Sequence, residues 1–98
     1  MEEIIKEIER ANKTFQIAEH YGIDKQMEQL VEEMAELIVE IKHCKREEKA
    51  DFKQLLKELA DVEFMLEQVI YLLGCRAEIR EIKKNNANKQ MEIIKKEK

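Results

Sequence analysis

Proline is missing from these 98 residues, and glycine occurs only at positions 22 and 74. A chain so poor in turn formers cannot readily supply the many turns of a β-sheet fold, and it favours a few long helices. Tryptophan is absent too, with two Tyr and three Phe, so stacking groups for a flat ligand are few. The two cysteines, Cys44 and Cys75, lack the paired spacing of zinc or redox motifs. Helices placed as below put them at opposite ends of a hairpin, about 35 Å apart at 1.5 Å per residue, so an internal disulfide is not expected. No apolar run approaches the ~18 residues of a membrane helix, and no charged-then-apolar leader is present. The expectation is a reduced cytoplasmic protein that does not enter a membrane.

What the chain has is grease and charge, 44% hydrophobic and 41% charged. That suits one small domain over residues 1–98, with a core that is marginal alone and gains from oligomerisation. The net charge of −4 is unevenly spread: residues 1–78 carry −8 and residues 79–98 carry +4. An acidic body argues against nucleic acid as a partner, while the basic tail suits either phosphate groups or a solvated helix end.

Four amphipathic segments stand out. The first covers about residues 2–20, with Ile4, Ile8, Ala11, Phe15 and Ala18 at alternating steps of four and three. Gly22 offers a left-handed stop, and Asp24 a cap for a second helix reaching about residue 46, with its core stripe at Met27, Leu30, Val31, Met34, Ile38 and Ile41. After the charged stretch KREEKAD, Asp51 and Gln54 suggest a capping box for a third helix ending at Gly74. Ala60, Phe64 and Tyr71 give that helix a second apolar face, as expected of a helix buried all round at a subunit interface. A fourth helix runs from about Arg76, and Asn85, Asn86 and Asn88 predict a kink or fraying within it. Met27, Met34 and Met65 are expected in the core. Glu63 falls in the apolar stripe of the third helix and calls for a cationic partner.

One nine-residue phrase occurs twice. QLVEEMAEL at 29–37 returns 25 positions later as QLLKELADV at 54–62, with Glu33 matched by Glu58 and Glu36 by Asp61. On a wheel of about 100° per residue each pair takes the same place beside its apolar stripe, near 240° and 180°. Antiparallel packing of the two helices brings the pairs face to face. Four carboxylates converging beside an apolar core repel one another unless a cation joins them. An all-oxygen set without His or Cys suits Mg²⁺ or Mn²⁺ rather than zinc, and Mg²⁺ held by carboxylates commonly grips phosphate oxygens.

The run Glu32-Glu33-Met34-Ala35-Glu36, followed after 21 residues by Glu58-Leu59-Ala60-Asp61, resembles the EExxE…ExxD signature of the MazG-like nucleotide pyrophosphohydrolases, in particular their short, phage-type members. The resemblance covers about residues 15–75. It implies an all-α, four-helix MazG-like bundle completed by oligomerisation, as a dimer or tetramer. It also implies Mg²⁺-dependent hydrolysis of a (d)NTP to the monophosphate and pyrophosphate, in nucleotide-pool house-cleaning. By position, Glu33, Glu36, Glu58 and Asp61 match the metal ligands. Glu32 matches the first acid of the motif, which orients a ligand or helps activate water. Catalysis is accordingly expected of Glu32, Glu33 and Glu36.

There are departures. Met65 stands where many relatives carry a Tyr one turn after the motif Asp. A basic motif of the last helix is matched only loosely, by Lys84, Asn88 and Lys89, with Arg80 as a further phosphate-binding candidate. His20 and Tyr21 stand where a base could stack, and His43 is expected to face solvent. Two other readings remain beside the enzyme: a catalytically degenerate relative that binds metal or nucleotide, and a helical oligomerisation module whose acids only solubilise it.

Overall fold

The computed structural model describes residues 1–46 and 52–97, and every element among them is a helix: α1 (Glu2–Tyr21), α2 (Ile23–Arg46), α3 (Phe52–Leu73) and α4 (Arg76–Lys96). Asp51, the expected cap of α3, lies outside the described residues. Helix interiors rich in Leu, Glu, Lys, Met and Ala, without Gly or Pro, explain these long uninterrupted elements. Gly22 ends α1 at φ 85°, its N–H donating to the Ala18 carbonyl at 2.9 Å. The same turn starts α2 at once, so Asp24 sits inside the first turn of α2 rather than capping it. Gly74, at φ 63°, separates α3 from α4. The three asparagines do not interrupt α4, which is helical throughout Arg76–Lys96.

Helices α1, α2 and α3 pack together, and the α2–α3 hairpin is the main contact. Ala18, Val62, Met65 and Val69 are its buried apolar residues. Three large apolar side chains at about 1.5–3 kcal/mol each make a thin core for a chain of this length. On the α1 side, Phe15 stacks on Tyr71 with ring centroids 4.1 Å apart, and the Tyr71 hydroxyl donates to Glu19. Tyr71 thus serves packing within the chain, not the second apolar face expected of it. Helix α4 makes at most a marginal contact with the others and buries no residue. The expected four-helix bundle is therefore three packed helices and a fourth that stands apart.

The greatest departure concerns which face of α2 is inside. The side turned to α3 runs Gln26, Leu30, Glu33, Leu37, Glu40 and Cys44, alternating steps of four and three, and all six are buried or half-buried. Of the expected stripe only Leu30 lies in this seam, and the rest is turned to solvent. Met27, Val31, Met34, Ile38 and Ile41 are exposed, as are Phe52, Leu56, Leu59 and Phe64 of α3 and Ile4 and Ile8 of α1. Among the expected core methionines only Met65 is buried. Glu63 is exposed and forms no ion pair among the described residues. A three-helix cluster cannot cover the seam and the oily stripes together. The result is open: the radius of gyration is 17.0 Å against about 13 Å for a compact domain of this length. The accessible surface is 8506 Å² where the mass predicts about 5,900 Å².

Candidate metal centre

In the α2–α3 seam Gln26 Nε2 donates to Gln68 Oε1 at 2.6 Å, and Glu36 faces Glu58. This antiparallel register sets Glu33 level with Asp61. Carboxylate oxygens of Glu33, Glu36 and Glu58 lie within 4.8 Å of one another. Three of the four expected ligands are thus brought together. The acids stand in the seam itself rather than beside it, which puts Glu58 at 5% exposure, Glu33 half-buried and Glu36 at the open rim.

Each half of the repeated phrase builds its carboxylate in the same way. Gln29 Nε2 donates to Glu33 Oε1 at 2.9 Å, and Gln54 Nε2 to Glu58 Oε1 at 2.7 Å. The first residue of each phrase therefore holds the acid one turn on, an i, i+4 hydrogen bond on a single helix face. In both glutamates the other oxygen, Oε2, is buried and has no hydrogen-bond partner. A carboxylate oxygen kept from water without a partner is costly, and two of them beside a third acid more so. The amides fix one oxygen of each carboxylate and leave the other bare. The glutamines were visible in the repeat; what pointed to their role was their i, i+4 spacing to the acids.

The electrostatics follow from this crowding. Glu36 is held above the ordinary carboxylate range, mainly by the charge of Glu33 and then by that of Glu58. Partial desolvation and the close approach of the Glu58 carboxyl act in the same direction, and Lys57 acts against it. Asp61, the fourth expected ligand, is not in the cluster. Its Oδ2 accepts from Lys57 Nζ at 3.0 Å, and the same ammonium lies 3.8 Å from Glu58 Oε1. Asp61, Glu58 and Glu33 in turn raise the Lys57 ammonium above its usual range.

Other expected site residues fall at varying removes. Glu32 is exposed and outside the cluster. Tyr21 borders a cleft of about 340 Å³ with Gln26, Gln29, Met65 and Gln68, whose lining does not include the cluster acids. His20 lies beside it, ring edge to Tyr21 at 4.7 Å, lining a different cleft with Lys13 and Gln16. Arg80, Lys84, Asn88 and Lys89 are exposed on α4 and are not brought to the carboxylates. His43, expected merely to face solvent, is exposed but lines an open cleft of about 350 Å³ with Glu36, Glu40 and Glu58. It falls two helical turns after Glu36 on the same face, a spacing legible in the sequence. Neither Cys44 nor Cys75 forms a disulfide among the described residues.

No family model, curated protein or solved structure matches this chain.

Proposed function

We propose that the chain is a divalent-metal-dependent nucleoside triphosphate pyrophosphohydrolase, converting a (d)NTP and water to the monophosphate and pyrophosphate. The observation that carries this reading is Glu58. The residue is 5% exposed, its carboxylate fixed at Oε1 by Gln54 and bare at Oε2 among two further acids. A merely solubilising acid has no reason to be taken out of water. The donor set fits a hard cation, being all oxygen with no nitrogen or sulfur. Glu33, Glu36 and Glu58 would hold Mg²⁺ or Mn²⁺, with Asp61 as a fourth ligand. Such an ion neutralises phosphate charge and lowers the pKa of an attacking water. Glu32, exposed next to Glu33, would be the acid that accepts a proton on the strength of the EExxE resemblance, with Glu40 of the same cleft as Glu36 and Glu58 a second acid outside the ligand set. The choice of a triphosphate, and of cleavage between its α and β phosphates, rests on the EExxE…ExxD resemblance.

Oligomerisation belongs to the same proposal. The exposed stripes of α2 and α3 and the excess surface of about 2,600 Å² per chain match a large, obligate interface between copies, as a dimer or tetramer. The same stripes also favour a second reading, a helical oligomerisation module without turnover. The two part on one measurement. Purified protein incubated with Mg²⁺ and a panel of ribo- and deoxynucleoside triphosphates is assayed for pyrophosphate. Pyrophosphate with the matching monophosphate supports the enzyme. Orthophosphate with a diphosphate contradicts it. No turnover together with no Mg²⁺ effect on thermal stability leaves the module, and no turnover with a Mg²⁺ effect leaves a degenerate relative.

A further inference from the structure

The repeat is broken at one informative position. Gln29, Glu33 and Glu36 have Gln54, Glu58 and Asp61 as counterparts, but the counterpart of Glu32 is Lys57, a reversal of charge. The two last acids then behave differently. Glu36 turns into the cluster, whereas Asp61 is held outside it by the Lys57 ammonium at 3.0 Å. The ammonium also stands 3.8 Å from Glu58, at the edge of the centre. Among the described residues, both ion pairs that reach these carboxylates come from Lys57.

We propose that Lys57 is a charge-exchange residue: it serves Asp61 as a cation while the centre is empty, and binds phosphoryl oxygens once a divalent ion has taken Asp61. This rests on the metal-dependent reading above. The antiparallel register already sets Asp61 level with Glu33, so joining the ligand set requires only that its tie to Lys57 be released. Lysine suits the exchange, with three donors on a flexible four-carbon stem. Its side chain is 61% exposed and free to swing. A metal-bound polyphosphate keeps surplus negative charge beside Glu36, Glu40 and Glu58, where the cleft offers His43 but neither lysine nor arginine among its lining, and the basic residues of α4 lie on a helix not packed there. Lys57 is the cation in place.

The test separates metal from anion. Mg²⁺ alone, and then pyrophosphate in saturating Mg²⁺, are titrated calorimetrically into the full chain, its Lys57→Gln and Lys57→Arg variants, and Lys6→Gln as a control for net charge. Lys57→Gln should bind Mg²⁺ about 1.5–5-fold more tightly, because an exposed ion pair no longer competes for Asp61. It should bind pyrophosphate about 10–100-fold more weakly, for loss of a charge-assisted contact. Lys57→Arg should restore most of the anion affinity, and Lys6→Gln should change neither. A purely structural lysine would weaken both steps when removed. Weaker Mg²⁺ binding by Lys57→Gln, or unchanged pyrophosphate binding, overturns the exchange and leaves the metal centre standing. Wild-type protein that takes up no Mg²⁺ overturns both.

Discussion

Replacing Glu58 by Gln should make the metal-free protein more stable and the metal-loaded protein less so. The carboxylate is 5% exposed, and its oxygens lie within 4.8 Å of those of Glu33. Two unit charges at that distance repel by about 0.9 kcal/mol in bulk water and about 3.5 kcal/mol at an effective dielectric near 20. Glutamine keeps the shape. Its carbonyl can go on accepting from Gln54, which now donates to Glu58 Oε1 at 2.7 Å, while its NH₂ turns to the neighbouring acids. A net gain of about 1–3 kcal/mol follows, and each kcal/mol raises Tm by about 4–8 °C for a domain of 60–100 residues. With Mg²⁺ the order reverses. At 100 times its Kd the ion stabilises wild type by about 2.7 kcal/mol, a gain the variant forgoes with its ligand. Differential scanning calorimetry with EDTA and with Mg²⁺ should therefore show the two Tm values crossing, while pyrophosphate release from the variant nearly vanishes. A variant that is less stable in EDTA and still stabilised by Mg²⁺ would refute the reasoning. Glu58 would then be a packing residue.

Glu36 provides a pH test: its carboxyl is raised in the folded state, so the folded protein binds more protons than the unfolded chain between 4.5 and the raised value. Metal-free stability should accordingly fall as pH rises through that window, and Mg²⁺ should abolish the slope in a pH series of melting curves. At the alkaline end, Lys57 is raised above 10.5 and Tyr71 above 10.0, the latter chiefly by its hydrogen bond to Glu19. Both contributions are complete below those values and are lost as pH climbs past them, so Tyr71→Phe should blunt the loss of stability above about pH 10. Gln29→Leu and Gln54→Leu should each weaken Mg²⁺ binding about 10–100-fold by calorimetry without touching a ligand, since each frees the carboxylate it holds. Unchanged affinity would show the amides to be incidental. Light scattering should give at least twice the chain mass, and Val31→Glu with Leu56→Glu should drive it to the monomer; a wild-type monomer at micromolar concentration would end the oligomer proposal.

Composition alone set the elements. With no proline and with glycine only at 22 and 74, the chain could form little but long helices, and both glycines mark breaks between them. The repeated phrase also put Glu33, Glu36 and Glu58 within reach of one another, because an antiparallel hairpin of two like-patterned helices sets the first acid of one phrase against the last acid of the other. Only tertiary structure decided which face of α2 was inside. A wheel ranks faces by hydrophobicity, and by that measure Met27, Val31 and Ile38 belonged in the core. Yet burial is a property of the assembly. With α4 standing apart, no second layer covers that stripe within one chain. Tertiary structure also decided the fate of Asp61. The i, i+4 spacing of Lys57 and Asp61 could be read from the sequence, but not whether the aspartate would turn to its own helix or across the seam. At this rim the lysine one turn away draws the aspartate to its own helix and the three acids repel it, so both forces keep it out of the metal-free cluster.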